Sequence, residues 1–222
     1  MNKLAVFDCD GTLVDSGATI YRALAQTLSE SGIDVPPPEI CRRVIGLSLI
    51  EAMARLVPGA GPEEHVRLAE DYKRHFVSMR FAGRVEEPLF DGVIELLDAL
   101  EESGWLLAVA TGKSDRGLRH CLDLHGIHPR FVSLQTADRH PSKPHPSMVL
   151  QAIAEAGAAP ETTIVVGDTS YDMAMGAAAG AAPIGAGWGY HEADELIEAG
   201  AIGVAERPSQ VLSLIGSQVD GR

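Results

Sequence analysis

In Val6-Phe7-Asp8-Cys9-Asp10-Gly11-Thr12-Leu13-Val14, an apolar run leads directly into two carboxylates and a glycine turn. Residues 3–7 have the pattern of a strand that is buried on both faces of a parallel sheet. If the backbone stays extended to Asp10, the carboxyl groups of Asp8 and Asp10 lie on the same side, about 7 Å apart. Ligands of open α/β sheets bind beyond the carboxyl ends of the strands. The stretch therefore predicts a site, the alternative being a polar turn in which both acids cap the residues that follow.

The composition and charge of the chain narrow the classes of protein to which it can belong. Its 222 residues, 45% of them hydrophobic, suit a core domain that carries a small insert. The formal net charge of -13 would repel phosphate backbones, so neither nucleic acid nor an anionic membrane is expected as a partner. There is no leader pattern and no apolar run of about 18 residues, and we expect a soluble, cytoplasmic protein.

The order of the predicted elements indicates two domains. After the first strand, helical patterns fill the chain up to about residue 85, which is typical of an insertion in the first strand-to-helix connection. Strands and helices then alternate, which predicts a doubly wound, Rossmann-like parallel sheet of the α/β class. We expect an α/β core domain formed by residues 1–14 and 86–222, and an all-helical domain of residues 15–85. The later strands are expected at residues 105–110, 131–134, 162–166, 182–184 and 201–204.

Polar residues follow the later strands at places where a site could form. Residues 111–114, Thr-Gly-Lys-Ser, combine a hydroxyl with a glycine N–H that can approach an anion, although an ordinary turn and helix cap has the same pattern. Lys143 lies in a loop with three prolines, which favours a positioned ammonium group. Asp168 follows the strand at residues 162–166, and Asp172 comes four residues later, where a helix begins.

The charges of these residues predict a metal ion. Four acids would meet at one edge of the sheet: Asp8, Asp10, Asp168 and Asp172. Lys143 contributes only one positive charge against these four negative charges. The cluster therefore needs a hard divalent cation, and ligands that are all oxygen favour Mg²⁺. The Thr111 hydroxyl, backbone N–H groups and Lys143 are groups that bind phosphate. The sequence therefore predicts a pocket shared by Mg²⁺ and a phosphoryl group.

In order and in position, these pieces resemble the motifs of the haloacid dehalogenase-like superfamily of phosphohydrolases. Residues 8–16 resemble its first motif, Thr111 the second, Lys143 the third and residues 167–172 the fourth. The helical insert resembles the family's helical cap. The form of the fourth motif and its neighbouring residues are most similar to the phosphoglycolate phosphatase subgroup. The chain departs from that subgroup at Ser114, where many members carry proline.

The resemblance implies a phosphatase that acts on a small phosphorylated metabolite, with 2-phosphoglycolate as a candidate. Asp8 would be the nucleophile and form an aspartyl phosphate, and Asp10 would act as general acid and then as general base. Mg²⁺ would be bound by the Asp8 carboxylate, the Asp10 main-chain carbonyl and the Asp168 carboxylate. Asp172 would orient Lys143 or a metal-bound water.

The resemblance implies which groups bind the phosphoryl group, and the positions of Arg43 and Lys113 in the sequence suggest further contacts to the substrate. Thr111, the Gly112 N–H and Lys143 would neutralise the phosphoryl oxygens. Arg43, beside a break in the helical pattern, is expected to reach a substrate carboxylate, the alternative being a solvated helix position. Lys113 is expected near the phosphate because it follows Gly112 in the sequence.

Two other functions would use similar residues. A phosphohexose mutase of the β-phosphoglucomutase type also needs Asp8 and Asp10, but its relatives usually carry a Glu-Asp pair where this chain has Gly167 and Asp168, so hydrolysis is favoured. A signalling receiver domain also gathers acids, a Thr and a Lys around a phosphorylated Asp, but it distributes its acids differently and has no counterpart of the insert. The sequence predicts no oligomeric state.

Overall fold

A computed structural model describes residues 1–219 of the chain. Within this range six parallel strands form one sheet in the order β3-β2-β1-β4-β5-β6. The strands are β1 (Asn2–Phe7), β2 (Trp105–Thr111), β3 (Phe131–Thr136), β4 (Ala158–Gly167), β5 (Ala182–Ala186) and β6 (Val204–Ala205). The predicted α/β class and doubly wound parallel sheet are confirmed.

The helices of the described residues fall into two groups, one before and one after residue 86. The helices are α1 (Gly17–Glu30), α2 (Pro38–Arg42), α3 (Leu49–Leu56), α4 (Pro62–Phe81), α5 (Val93–Glu102), α6 (Asp115–Leu124), α7 (Ser147–Ala156), α8 (Ser170–Ala178), α9 (Ala193–Glu198) and α10 (Val211–Val219). The first four follow β1 without an intervening strand. None of the helices in residues 1–219 has the length and apolarity that a membrane crossing requires.

Strand β1 lies in the middle of the sheet and is covered by apolar side chains on both faces. Leu4 and Val6 belong to one buried cluster, which includes residues of α7 and α8. Ala5 and Phe7 belong to the other, with residues of α5 and α6. Successive strand residues point to opposite faces, so each apolar side chain of β1 is used in one of the two cores.

The carboxyl end of β1 lies where the strand order reverses. β1 pairs with β2 on one side and with β4 on the other, and ligands of open α/β sheets bind at such a point. Asp8 follows β1, Thr111 ends β2 and Asp168 follows β4. The fold therefore places three of the predicted site residues at the carboxyl ends of three neighbouring strands.

The helices α1 to α4 have an apolar cluster of their own and lie against the carboxyl edge of the sheet. Leu24, Met53, Leu68 and Tyr72 are buried within this cluster. The Ser48 N–H, at the start of α3, donates to Ser142 Oγ over 2.9 Å. Residues 15–85 thus combine internal packing with direct contact to the loop that precedes Lys143.

Two of the expected strands differ from the structure by more than two residues at one end. β4 begins at Ala158 rather than at residue 162, because the Thr162 hydroxyl donates to the Asn2 carbonyl and holds the start of β4 against β1. β6 contains only Val204–Ala205 instead of residues 201–204.

Candidate active site

The side chain of Lys143 lies between two carboxylates at the carboxyl edge of the sheet. Its Nζ is 2.9 Å from Asp8 Oδ1 and 2.6 Å from Asp172 Oδ1. All three side chains are buried. The structure thus brings together the nucleophile, the lysine and the orienting acid that were expected from the sequence.

Asp168 is held beside this group by hydrogen bonds to both of its oxygens. The Thr12 hydroxyl donates to Oδ1 over 2.8 Å, and the Tyr190 N–H donates to Oδ2 over 3.0 Å. A Cβ atom at Gly11 or at Gly189 would lie 2.2 Å or 2.1 Å from this side chain, so neither position has space for a larger residue. The sequence analysis missed Thr12 and Tyr190 as partners of Asp168, although Thr12 belongs to the first motif.

The buried acids carry more negative charge than Lys143 can neutralise. Burial raises the pKa of Asp8 to about 7, because the Lys143 ammonium only partly offsets burial and the charges of Asp172 and Asp10. Burial, with the charges of Asp172 and Asp8, also raises the pKa of Asp168 well above its ordinary value. Burial alone would lower the pKa of Lys143, but Asp172 and Asp8 raise it. Ionised acids in this cluster at neutral pH require a further positive charge.

The donor set of the cluster fits a divalent cation. Oxygens of Asp8, Asp168 and Asp172 lie within 4.8 Å of one another. Asp8 Oδ1 accepts a hydrogen bond from the Cys9 N–H, whereas Asp8 Oδ2 is buried and has no hydrogen-bond partner in the described part of the chain. A buried carboxylate oxygen without a partner is costly, and carboxylate oxygens are the ligands that Mg²⁺ prefers. The residues present therefore suit this ion.

Asp10 belongs to a second, separate ion-pair group. Lys113 Nζ is 2.8 Å from Asp10 Oδ1 and 2.7 Å from Glu87 Oε1. The Ser16 hydroxyl also donates to Asp10 Oδ1. Burial alone would lower the pKa of Lys113, but the charges of Asp10 and Glu87 help to raise it well above its ordinary value. Lys113, expected near the phosphate, pairs here with two carboxylates, and its contact with substrate stays a prediction.

Glu87 joins this second group to the helical insert. Its carboxylate is fully buried, and its Oε2 is 3.2 Å from an Nη of Arg80, at the end of α4. The sequence analysis missed both residues. Only its position could have marked Glu87 in the sequence. It comes immediately before Pro88, where helical patterns give way to alternating strands and helices.

The phosphate-binding candidates after β2 lie under the insert. Thr111 is buried, and its Oγ1 accepts from the Lys113 N–H over 3.3 Å. A Cβ atom at Gly112 would lie 2.5 Å from the Leu47 carbonyl oxygen. The backbone at Leu47 therefore packs directly on Gly112, and the insert covers this edge of the site.

The structure does not bring Arg43 to the acids or to the phosphate-binding candidates. Its guanidinium lies 2.6 Å from Glu195 Oε1, and its side chain is 57% exposed. Its main-chain carbonyl accepts from the Tyr171 hydroxyl. Arg43 is paired with Glu195 at the surface in this structure, and its contact with a substrate carboxylate stays a prediction.

The sequence of this chain matches the model of one protein family over residues 5–186, and that family is described as haloacid dehalogenase-like hydrolase. The match begins within β1, ends at the last residue of β5 and includes all four site motifs. The chain belongs to the haloacid dehalogenase-like hydrolases. The family accounts for the order of the motifs along the chain and for their meeting at one edge of the sheet.

Relatives within the haloacid dehalogenase-like hydrolases include named phosphatases. A probable phosphatase, IndB, of Dickeya dadantii is 36% identical over 200 residues, covering 88% of this chain and 86% of its own. A phosphoglycolate phosphatase of Haemophilus influenzae is 30% identical over 220 residues, covering 96% of this chain and 98% of its own. A hydrolase from Pseudomonas syringae has the same fold, with a TM-score of 0.84 and 25% identity over 97% of this chain and 99% of its own. These likenesses support a phosphatase.

Proposed function

We propose that this protein is a Mg²⁺-dependent phosphomonoester hydrolase that works through an aspartyl phosphate on Asp8. The observation that carries the proposal is the Asp8 carboxylate: one oxygen is held by Lys143 and the Cys9 N–H. The other oxygen is buried without a partner among residues 1–219, beside Asp168 and Asp172. A fixed carboxylate with one free oxygen suits attack on phosphorus.

Two displacements then follow from the placement of Asp8 and Asp10. Asp8 forms a bond to phosphorus while the bond to the ester oxygen breaks, and Asp10 protonates the departing alkoxide. In the second step Asp10 removes a proton from a water that attacks phosphorus, and inorganic phosphate leaves Asp8. Thr111, the Gly112 N–H and Lys143 neutralise the phosphoryl oxygens during both steps.

The cation would be held by the Asp8 carboxylate, the Asp10 main-chain carbonyl and the Asp168 carboxylate. Asp172 holds Lys143 in place through their 2.6 Å ion pair. When bound, Mg²⁺ supplies positive charge that keeps the acids ionised and offsets the negative charge of the phosphoryl group. This assignment is supported by the unpaired Asp8 oxygen and by the excess of acids over lysine.

Residues 15–85 are proposed to act as a cap that covers the site. The packing of Leu47 on Gly112 and the hydrogen bond from Ser48 to Ser142 support this role. A closed cap excludes bulk water during the first displacement and contacts the organic part of the substrate. The substrate is a small phosphorylated metabolite. 2-Phosphoglycolate is one candidate, because it is the substrate that the name of the H. influenzae relative indicates.

We expect chelation to abolish hydrolysis of p-nitrophenyl phosphate and added Mg²⁺ to restore it. The reason is that the metal-free cluster has three buried acids and one lysine. Release of inorganic phosphate, measured in the same assay, separates hydrolysis from transfer to a second sugar phosphate by a mutase. Turnover that does not change in EDTA would contradict the metal assignment.

Binding of Mg²⁺ is also expected to raise the melting temperature of the wild-type protein. A ligand at a hundred times its dissociation constant adds about 2.7 kcal/mol to stability. Asp168→Asn should remove most of this shift, because it removes one of the proposed ligands. An equal shift in wild type and variant would show that the cation binds elsewhere.

A further inference from the structure

A cavity of about 250 Å³ lies between the helical insert and the core and adjoins the proposed general acid. Asp10 and Gly112 line it on the core side. Most of the remaining wall is apolar and comes from the insert, including Leu24, Val44, Leu47, Tyr72, Phe76 and Val77. Because Asp10 protonates the leaving group in the proposed reaction, the leaving group would occupy this cavity.

The size of the cavity exceeds what a glycolate needs. An engineered protein cavity of about 150 Å³, lined by Leu, Ile and Phe, is large enough to bind benzene. The present cavity is larger and has a similar lining, with the aromatic side chains of Tyr72 and Phe76 adjacent to each other at a centroid distance of 5.8 Å. A two-carbon leaving group would leave much of this apolar wall uncovered.

The charges around the cavity are already balanced. Lys113 and Arg80 line the cavity, and both pair with Glu87, while Lys113 also pairs with Asp10. Two cations thus face two carboxylates. The other cations in the wall, Lys73 and Arg116, are exposed to solvent, where screening weakens their pull on an anion. A carboxylate in the interior of the cavity would lose its hydration against an apolar wall, and it would face the Asp10 carboxylate once Asp10 has given its proton to the leaving group.

We infer that the substrate of this enzyme is a phosphomonoester whose alcohol carries an uncharged, ring-sized apolar body, rather than a short carboxylated alcohol. The inference rests on the proposed function and refines it, since it names the class of leaving group at the same site. Burial of the ring against the cap accounts for the apolar wall, and the cost of removing water from a carboxylate against that wall disfavours a second anionic group.

A comparison of three phosphomonoesters tests this inference. Benzyl phosphate and ethyl phosphate both release primary alcohols, so they differ mainly in the ring, and 2-phosphoglycolate supplies the carboxylated alternative. We expect kcat/KM for benzyl phosphate to exceed that of the other two by about tenfold or more, because an apolar pocket discriminates by 10- to 200-fold for a single methylene. A preference for 2-phosphoglycolate, or equal values for benzyl and ethyl phosphate, overturns the inference while leaving the phosphatase in place.

Two substitutions on the same helix sharpen the test. Val77→Phe fills part of the cavity and should lower the ratio of kcat/KM for benzyl over ethyl phosphate at least fivefold. Val66→Phe is the matched control, because Val66 lies on the exposed side of α4 and is 44% exposed; it should leave the ratio unchanged. If Val77→Phe does not fold, Val77→Leu replaces it, and we expect a smaller decrease in the same ratio. An unchanged ratio in a folded Val77 variant contradicts the inference. Hydrolysis of none of the three esters in the presence of Mg²⁺ would overturn the proposed function itself.

Discussion

Replacing Asp8 with asparagine is expected to reduce phosphatase turnover by a factor of about a thousand or more, since loss of a catalytic nucleophile is among the most damaging changes an enzyme can undergo. An amide cannot form the aspartyl phosphate, although it keeps the size of the carboxylate. The measurement is the steady-state hydrolysis of p-nitrophenyl phosphate with saturating Mg²⁺, together with circular dichroism to show that the fold is intact.

Asp15→Asn is the matched control for this substitution. Asp15 lies within the same motif but is exposed, so we expect its variant to retain turnover within a few fold. If folded Asp8→Asn retained a substantial part of the wild-type rate, Asp8 would not be the nucleophile.

Replacing Lys143 with methionine is expected to impair both stability and activity. Removing one partner of a buried ion pair costs about 3–5 kcal/mol, and here the methionine would leave Asp8 and Asp172 without their cation. Loss of a charge that stabilises the transition state lowers kcat by about a hundredfold to a thousandfold. Urea unfolding in the presence of a chelator measures the first effect, and the rate with Mg²⁺ measures the second.

The destabilisation by Lys143→Met should grow with pH. The pKa of Asp8 is about 7 in the folded protein and 3.8 in a model peptide. The folded state therefore binds its proton more tightly, and stability falls as the pH rises between these values. Without Lys143 the charged form of Asp8 is less favourable still, so the loss should be larger at pH 8 than at pH 5. Lys73→Met, at an exposed ion pair, should cost no more than about 1 kcal/mol. Equal losses for Lys143→Met at both pH values would contradict the electrostatic account.

The main features of the fold and the acid cluster could be predicted from local sequence. The central strands β1, β2 and β4 contain short apolar runs, and polar residues lie at or directly after their carboxyl ends. Parallel strands bring such residues to one edge, so Asp8, Thr111 and Asp168 could be placed near one another before the structure was known. The loop of Lys143 was predicted from its prolines alone, and its ammonium lies on Asp8 and Asp172.

The pairing of side chains between the insert and the core could not be predicted in this way. Lys113 follows a phosphate-binding candidate in sequence, but its partner Glu87 is 26 positions away. Arg43 was expected at the substrate because it lies beside a break in the helical pattern, whereas in the structure it pairs at the surface with Glu195, 152 positions away. Such contacts depend on how the helical insert lies on the sheet, which periodicity and motif spacing do not describe.

The direction of β1 has a practical consequence for immobilising or labelling the protein. Met1 is 94% exposed at the amino end of this strand, and Asp8 lies at its other end. Six strand residues span about 20 Å. An affinity tag or surface tether fused at Met1 would therefore be attached at the edge of the sheet opposite the acids. A protein attached to a support by that end should keep the edge of the sheet that carries Asp8 accessible from solution.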